Sequence, residues 1–295
     1  MPISSVYTRM SRNRLLLAIA LLSAPVVFLA QQTLKVDVDL VNVFVTVQGN
    51  GGEFVSDLRR DDFVLYDDDQ PQKIDIFEKD SEVHSVIGVL LDVSGSMVDI
   101  IPYMNRGVKE FAKTIRSPDE YSVITFGTNV KLVHRSPQTS QHLDDVLQDL
   151  KPWGTSVLFD AMVYGMDRLK MSANQRKALI IFTDGTDNGS REEFNRVSRD
   201  AQLSGVVLYF VAIGSPVLVD KHTVDTFASS SGGRVFYVPK GEAVGPHLEK
   251  IRAELARQYY LGYYVSKRPG FHRIRVEIPN RTNLKVHTRA GYLGQ

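Results

Sequence analysis

The sequence predicts an α/β fold: a doubly wound, mostly parallel sheet, inserted in or flanked by a small β-sandwich-like module. Three observations predict it. Continuous apolar runs at residues 86–91, 121–126, 178–182 and 206–213 have the pattern of strands covered on both faces. Between these runs, apolar residues return at helical spacing. On either side of this region the chain changes to alternating or short β segments. The 295 residues suffice for one large or two ordinary domains, and 43% hydrophobic residues suffice for a sizeable core.

Residues 1–30 have the pattern of an export signal. Arg9, Arg12 and Arg14 precede an apolar run at residues 15–30, and no acidic residue occurs there. Pro25 interrupts a run already shorter than the roughly 20 residues of a spanning helix. Cleavage after Ala30 would put the bulky Phe28 where a small residue is preferred, so a retained anchor is the alternative. The reading places the mature chain in the periplasm, on the cell surface or in the medium, with no membrane insertion once the signal is removed.

Residues 31–82 read as an N-terminal β segment. Val36, Val38 and Leu40, then Val41, Val43, Val45 and Val47, alternate with polar residues, and the slip at Leu40-Val41 predicts a bulge. Gly49-Asn50-Gly51-Gly52 ends this strand. Two further strands at residues 63–66 and 74–77 are joined by a turn at Asp67-Asp68-Asp69-Gln70-Pro71. The aspartates between Asp61 and Asp69 lack the Gly and terminal Glu of a calcium loop, and read as a solvated, charged turn.

Residues 83–257 carry the α/β pattern. Helices are expected where Met104, Val108, Phe111, Ala112 and Ile115 recur, and again along Leu158, Ala161, Met162, Gly165, Met166 and Leu169. Phe194, Val197 and Ala201 repeat the spacing, as do Val244, Leu248, Ile251 and Leu255. Residues 131–134, following Gly127-Thr128-Asn129, read as a hairpin return and an antiparallel edge strand. Residues 258–295 return to β character at 259–265, 273–278 and 283–288, separated by Pro269-Gly270 and Pro279-Asn280. Each flank offers too few strands to stand alone, so the two are expected to pack together. The tyrosines at 259, 260, 263 and 264 read as strand packing.

Composition removes several function classes. With 35 Lys+Arg against 34 Asp+Glu, the chain lacks the basic excess of a nucleic-acid-binding domain. The absence of cysteine excludes disulfides, zinc–thiolate sites, iron–sulfur clusters, thiol nucleophiles and lipid attachment of the bacterial lipoprotein kind. No phosphate-binding G-x-x-x-x-G-K-[ST] loop and no G-x-S-x-G elbow occurs, and the 7 histidines form no H-E-x-x-H pair. A haloacid-dehalogenase-like phosphatase would need a second Asp where Ser94 stands.

Oxygen-donor residues gather at the predicted carboxyl ends of strands, where open parallel sheets place their ligand sites. Asp92, Ser94 and Ser96 emerge on a turn made tight by Gly95. Trp153-Gly154-Thr155-Ser156 precedes the second helix, and Phe182-Thr183-Asp184-Gly185 ends the fourth strand, counting the edge strand at 131–134. Carboxylates and hydroxyls on three neighbouring loops are hard donors suited to Mg²⁺ or Mn²⁺. A dication with two carboxylates is formally neutral and leaves room for a carboxylate from outside. Asx-turn and helix-capping duty is the competing explanation for each segment taken alone.

At these residues the sequence resembles the von Willebrand factor type A family, whose metal-ion-dependent adhesion site reads Asp-x-Ser-x-Ser, then Thr, then Asp. Matched to that motif, Asp92, Ser94, Ser96, Thr155 and Asp184 are the expected metal ligands. The resemblance implies a six-stranded Rossmann-like sheet and Mg²⁺ or Mn²⁺ as cofactor. It also implies a protein partner presenting Asp or Glu, and a threonine that joins the metal mainly in the ligand-ready state. Val55-Ser56-Asp57-Leu58, Asp62-Phe63, Gln72-Lys73-Ile74 and Phe77, with Tyr259-Tyr260-Leu261-Gly262-Tyr263 and Arg289-Ala290-Gly291-Tyr292, are similar to the flanks of the exported VWFA-related acidobacterial domain. Asp69 departs from that pattern, which has Gly there. The expected function is therefore an exported, non-enzymatic, metal-dependent protein-binding module, with Trp153, Met97 and Tyr103 as candidates for an apolar rim. The alternatives are a metal-assisted hydrolase or phosphotransferase, and a structural scaffold.

Overall fold

The computed structural model describes residues 38–79, 84–115, 117–214, 217 and 219–294. The export segment, the start of the first strand before Val38 and the expected boundary at residues 82–83 lie outside the described residues. Among the described residues, no helix is long and apolar enough to cross a membrane.

The first flank forms β1 (Val38–Gln48), β2 (Val64–Asp67), β3 (Gln70–Gln72) and β4 (Ile76–Lys79). The ladder of β1 runs without a bulge from Val38 to Val45, contrary to the expected slip at Leu40-Val41. Val41, Val43, Val45 and Val47 are all buried, whereas Leu40 is 37% exposed on the opposite face. Each buried valine is worth roughly 1.5–3 kcal/mol, so one outward leucine costs less than turning that whole face to solvent. Asp68 and Asp69 both have positive φ, 49° and 62°. They are the central pair of a tight turn, and Asp67↔Gln70 closes the β2–β3 hairpin, so the hairpin forms without glycine.

The α/β region comprises β5 (Ser85–Asp92), α1 (Ile101–Ala112), β6 (Glu120–Phe126), β7 (Val130–Arg135), α2 (Ser140–Gln148), α3 (Leu158–Lys170) and β8 (Arg176–Thr183). It continues through α4 (Phe194–Leu203), β9 (Val206–Ile213), α5 (Lys221–Ser231), β10 (Arg234–Val238) and α6 (Gly245–Ala256). The strand order is β10-β9-β8-β5-β6-β7. β7 is antiparallel to β6 and the other pairs are parallel, as the hairpin return at residues 131–134 predicts. Alternation along β5 divides the core: Ile87, Val89 and Leu91 join Met104, Phe111, Leu147 and Ile251 on one face, while Val86 and Leu90 join Met162, Val197 and Phe227 on the other. This is the doubly wound, six-stranded architecture the apolar runs and the resemblance lead one to expect.

The second flank supplies β11 (Tyr259–Ser266), β12 (Gly270–Glu277), β13 (Lys285–His287) and β14 (Gly291–Gly294). β11 runs between β1 and β4, and β12 between β2 and β14. The two four-stranded sheets, β13-β1-β11-β4 and β14-β12-β2-β3, share a core that includes Val43, Leu65, Tyr259, Leu261 and Ile274. Tyr259, Tyr260 and Tyr263 are buried, while Tyr264 is exposed.

Candidate metal centre

After β7 the chain crosses to the other side of β5 to form β8, so winding direction reverses between these strands. Open α/β sheets leave a crevice at that point. The register pairs Leu91 with Phe182, which carries Asp92 and Thr183 out side by side at the strand ends.

Asp92 is fully buried. Its Oδ1 accepts the backbone N–H of Ser94 at 2.9 Å. Its Oδ2 accepts from Thr183 Oγ1 at 2.8 Å and from Ser156 Oγ at 3.4 Å. Burial pushes the carboxyl up to about 6, the hydrogen bonds from Ser94 and Thr183 oppose that rise, and the neighbouring Asp184 adds to it. Among the described residues, no Lys or Arg forms an ion pair with Asp92 or Asp184. A buried carboxylate beside a second carboxylate, supplied only with hydroxyl and amide donors, is an environment that a bound cation would stabilise.

The loop after Asp92 is pinned by Met97, whose side chain is in the core, so Met97 does not belong to an exposed rim. Ser94 is buried and Ser96 exposed, with their Oγ atoms 3.2 Å apart. Alternate positions thus deliver two hydroxyls to one spot.

Backbone bonds tie the second loop to the first: Trp153 N donates to Val93 O at 2.8 Å, and Gly95 N to Gly154 O at 3.2 Å. Gly154 has φ 81°, a conformation that strains any residue with a Cβ, and a Cβ there would also displace the Thr128 hydroxyl, 2.0 Å away. Thr155 follows on the exposed side.

The third loop is bonded to the second. Ser156 N donates to Asn188 Oδ1 at 2.8 Å, and Asn188 N to Ser156 O at 3.1 Å. Asp184 is half-buried, and its Oδ1 accepts the N–H of Thr186 at 2.9 Å. Thr155 reaches over this loop, its Oγ1 lying 2.8 Å from where a Cβ on Gly189 would sit. Asp92 therefore meets Ser94, and Ser94 meets Ser96, while Thr155 and Asp184 stand on loops bonded into the same crevice.

Sequence reasoning passed over Thr183, Ser156 and Asn188, which orient the site. The available signal was position: Thr183 precedes Asp184 and Ser156 follows Thr155. Asp187 and Asp160 perform local work. Asp187 Oδ2 accepts Phe159 N at 2.9 Å, and Asp160 Oδ1 accepts the N–H groups of Arg191 and Glu192.

A second acidic group lies in the flanking sheets, where ligand atoms of Asp67, Asp68 and His272 lie within 4.8 Å of one another. Asp67 is wholly buried, not part of a solvated turn. It accepts from the hydroxyls of Tyr263 and Tyr292 and pairs with Arg268 at 2.7 Å. Asp68 pairs with His272 Nδ1 at 2.7 Å, a bond that holds its carboxyl below the usual range. Arg268 already provides the positive charge there.

Comparison with known proteins agrees with this fold. The family model of the von Willebrand factor type A domain matches residues 87–253. A von Willebrand factor type A structure from Catenulispora acidiphila superposes with a TM-score of 0.50 at 12% identity, covering 87% of this chain and 75% of that one. Proximal thread matrix protein 1 of the mussel byssus, solved with a zinc-occupied MIDAS motif, gives a TM-score of 0.52 at 18% identity, covering 65% of this chain and 50% of that one. The chain belongs to the von Willebrand factor type A domain family.

Proposed function

We propose that the protein is an exported, metal-dependent protein-binding module whose ion is held by Asp92, Ser94, Ser96, Thr155 and Asp184. Domains of this family are in general interaction modules, and the carrying observation here is the convergence of Ser94 and Ser96 beside the buried, unneutralised Asp92. The donors are oxygen throughout, which favours Mg²⁺ or Mn²⁺. The zinc-occupied motif of the mussel protein supports a divalent ion at a comparable site.

When bound, the ion supplies a positive centre able to accept an acidic side chain of the partner. The protein's own contribution is orientation: Thr183 and Ser156 aim Asp92, and Gly154 sets the position of Thr155. Trp153, 74% exposed beside Gly154, offers apolar surface for the partner around that centre, while Tyr103 is 38% exposed on the first turn of α1.

Isothermal titration with MgCl₂ and MnCl₂ tests the reading. One saturable site, strongly weakened by Asp92→Ala, is the expected result. Equal affinity in that variant would remove the assignment. Captured partner should be released by EDTA.

A further inference from the structure

A cleft of about 310 Å³ opens at the other end of the parallel sheet, where the outer face of β1 meets the starts of β8 and β9. Leu40 and Phe44 of β1 form an apolar wall, with Asn42 between them. Lys177, Asn174 and Arg289 are among the polar residues of the lining, and among the described residues no Asp or Glu lines the cleft. The volume is near the lower bound of the ~300–1,000 Å³ that small-molecule sites span.

The charges in this cleft are unbalanced. Arg289 makes no ion pair among the described residues, and its Nε is buried without a hydrogen-bond partner. Its neighbours include an aromatic ring and a glycine: the guanidinium lies 6.0 Å from the ring centroid of Tyr292, and Nη1 lies 3.8 Å from where a Cβ on Gly205 would sit. Burial pushes the Arg289 pKa down, with Tyr263 and Tyr292 acting in the opposite direction. Among the described residues, Lys177 donates to the carbonyls of Ser172 and Lys170, at 2.7 and 3.2 Å, and burial lowers its pKa as well. Asp39 lines an adjoining hollow that Arg289 also borders, yet the two form no ion pair.

Burying a guanidinium without an anion is costly, and its planar fork matches a carboxylate with two parallel hydrogen bonds. We propose that this cleft binds a small amphipathic carboxylate, its anionic end on Arg289 and its apolar body against Leu40 and Phe44. The site is separate from the metal centre, since Lys177 and Val206 stand at the beginnings of strands whose ends carry Thr183 and Ile213.

The test uses the full chain with benzoate as probe and benzamide as its neutral counterpart, followed by isothermal titration. Benzoate should bind saturably with a dissociation constant of about 1 mM or tighter, and benzamide at least about tenfold more weakly. Arg289→Gln should weaken benzoate binding by about tenfold or more. Gln202→Glu places a negative charge in the partly exposed lining, where it leaves folding intact, and should weaken benzoate binding by a similar factor. Absence of saturation up to about 10 mM benzoate, equal binding of benzoate and benzamide, or indifference to Gln202→Glu would each overturn the proposal.

Discussion

Thr183 Oγ1 donates to Asp92 Oδ2 at 2.8 Å, so the hydroxyl ending one parallel strand aims the carboxylate ending its neighbour. Thr183→Val keeps the shape and removes the donor. Metal affinity should fall about 10–100-fold, the usual cost of losing a group that orients a ligand. Titration with MnCl₂ measures it, and wild-type affinity in this variant would exclude Thr183 from the site's construction.

Thr155 is exposed and makes no bond to the Asp92–Ser96 turn among the described residues, which fits a residue that acts in partner capture more than in holding the ion. Thr155→Ala should retain much of its metal affinity, losing less than Asp92→Ala does, and lose most partner capture in pull-downs from surface extracts. Capture that survives both this substitution and EDTA would place the binding surface elsewhere.

Glu254 gives the fold a pH dependence. It is buried, paired with Arg234 at 2.8 Å, and receives the hydroxyl of Tyr209, itself near Arg176. Burial raises its pKa from 4.5 to about 7, against the lowering effect of Arg234, Tyr209 and Thr46. The folded protein therefore holds this proton more tightly than the unfolded chain. The associated stability is complete below pH 4.5 and is lost as pH rises to about 7, an effect of about 3 kcal/mol. Urea unfolding across this range should show wild type losing stability relative to Glu254→Gln by that order. Parallel curves for the two proteins would contradict it.

The flanking strands should fold as one unit. β11 supplies the partner on both sides, to β1 and to β4, and Leu261 is fully buried between them. Deleting residues 258–295 should abolish amide protection across Val41, Val43 and Val45 in hydrogen exchange. Persistent protection there would show that the N-terminal strands stand alone.

How much was legible in the sequence follows from burial. β5, β8 and β9 are covered on both faces, so each contains a run uninterrupted by charge, at 86–91, 178–182 and 206–213, that stands out. β10 is a half-exposed edge strand and α5 is rich in Ser and Thr, so neither carries a strong periodic signal. The expected ligands Asp92, Ser94 and Ser96 are close in sequence and easily seen. Thr183 and Ser156 join Asp92 only through strand register and loop bonding, which pairwise spacing does not encode. Asp67 misled because three adjacent aspartates resemble solvent-exposed charge. Its ion-pair partner, Arg268, and its tyrosine donors lie about 200 positions away, the Tyr263 bond spanning 196 residues.

The antiparallel pairing of β1 with β11 also has a mechanical meaning. Val38 lies opposite Ser266, and Val45 opposite Tyr259. Chain entering at Val38 and chain leaving towards α6 from Tyr259 are attached at opposite ends of one ladder. Tension between the segment before β1 and a partner held at the metal-site loops would pull the two strands lengthwise past each other. Their hydrogen bonds would then share the load, where a zipper would surrender them one by one. A hold of this kind resists force best along the direction in which an adhesive contact would be pulled.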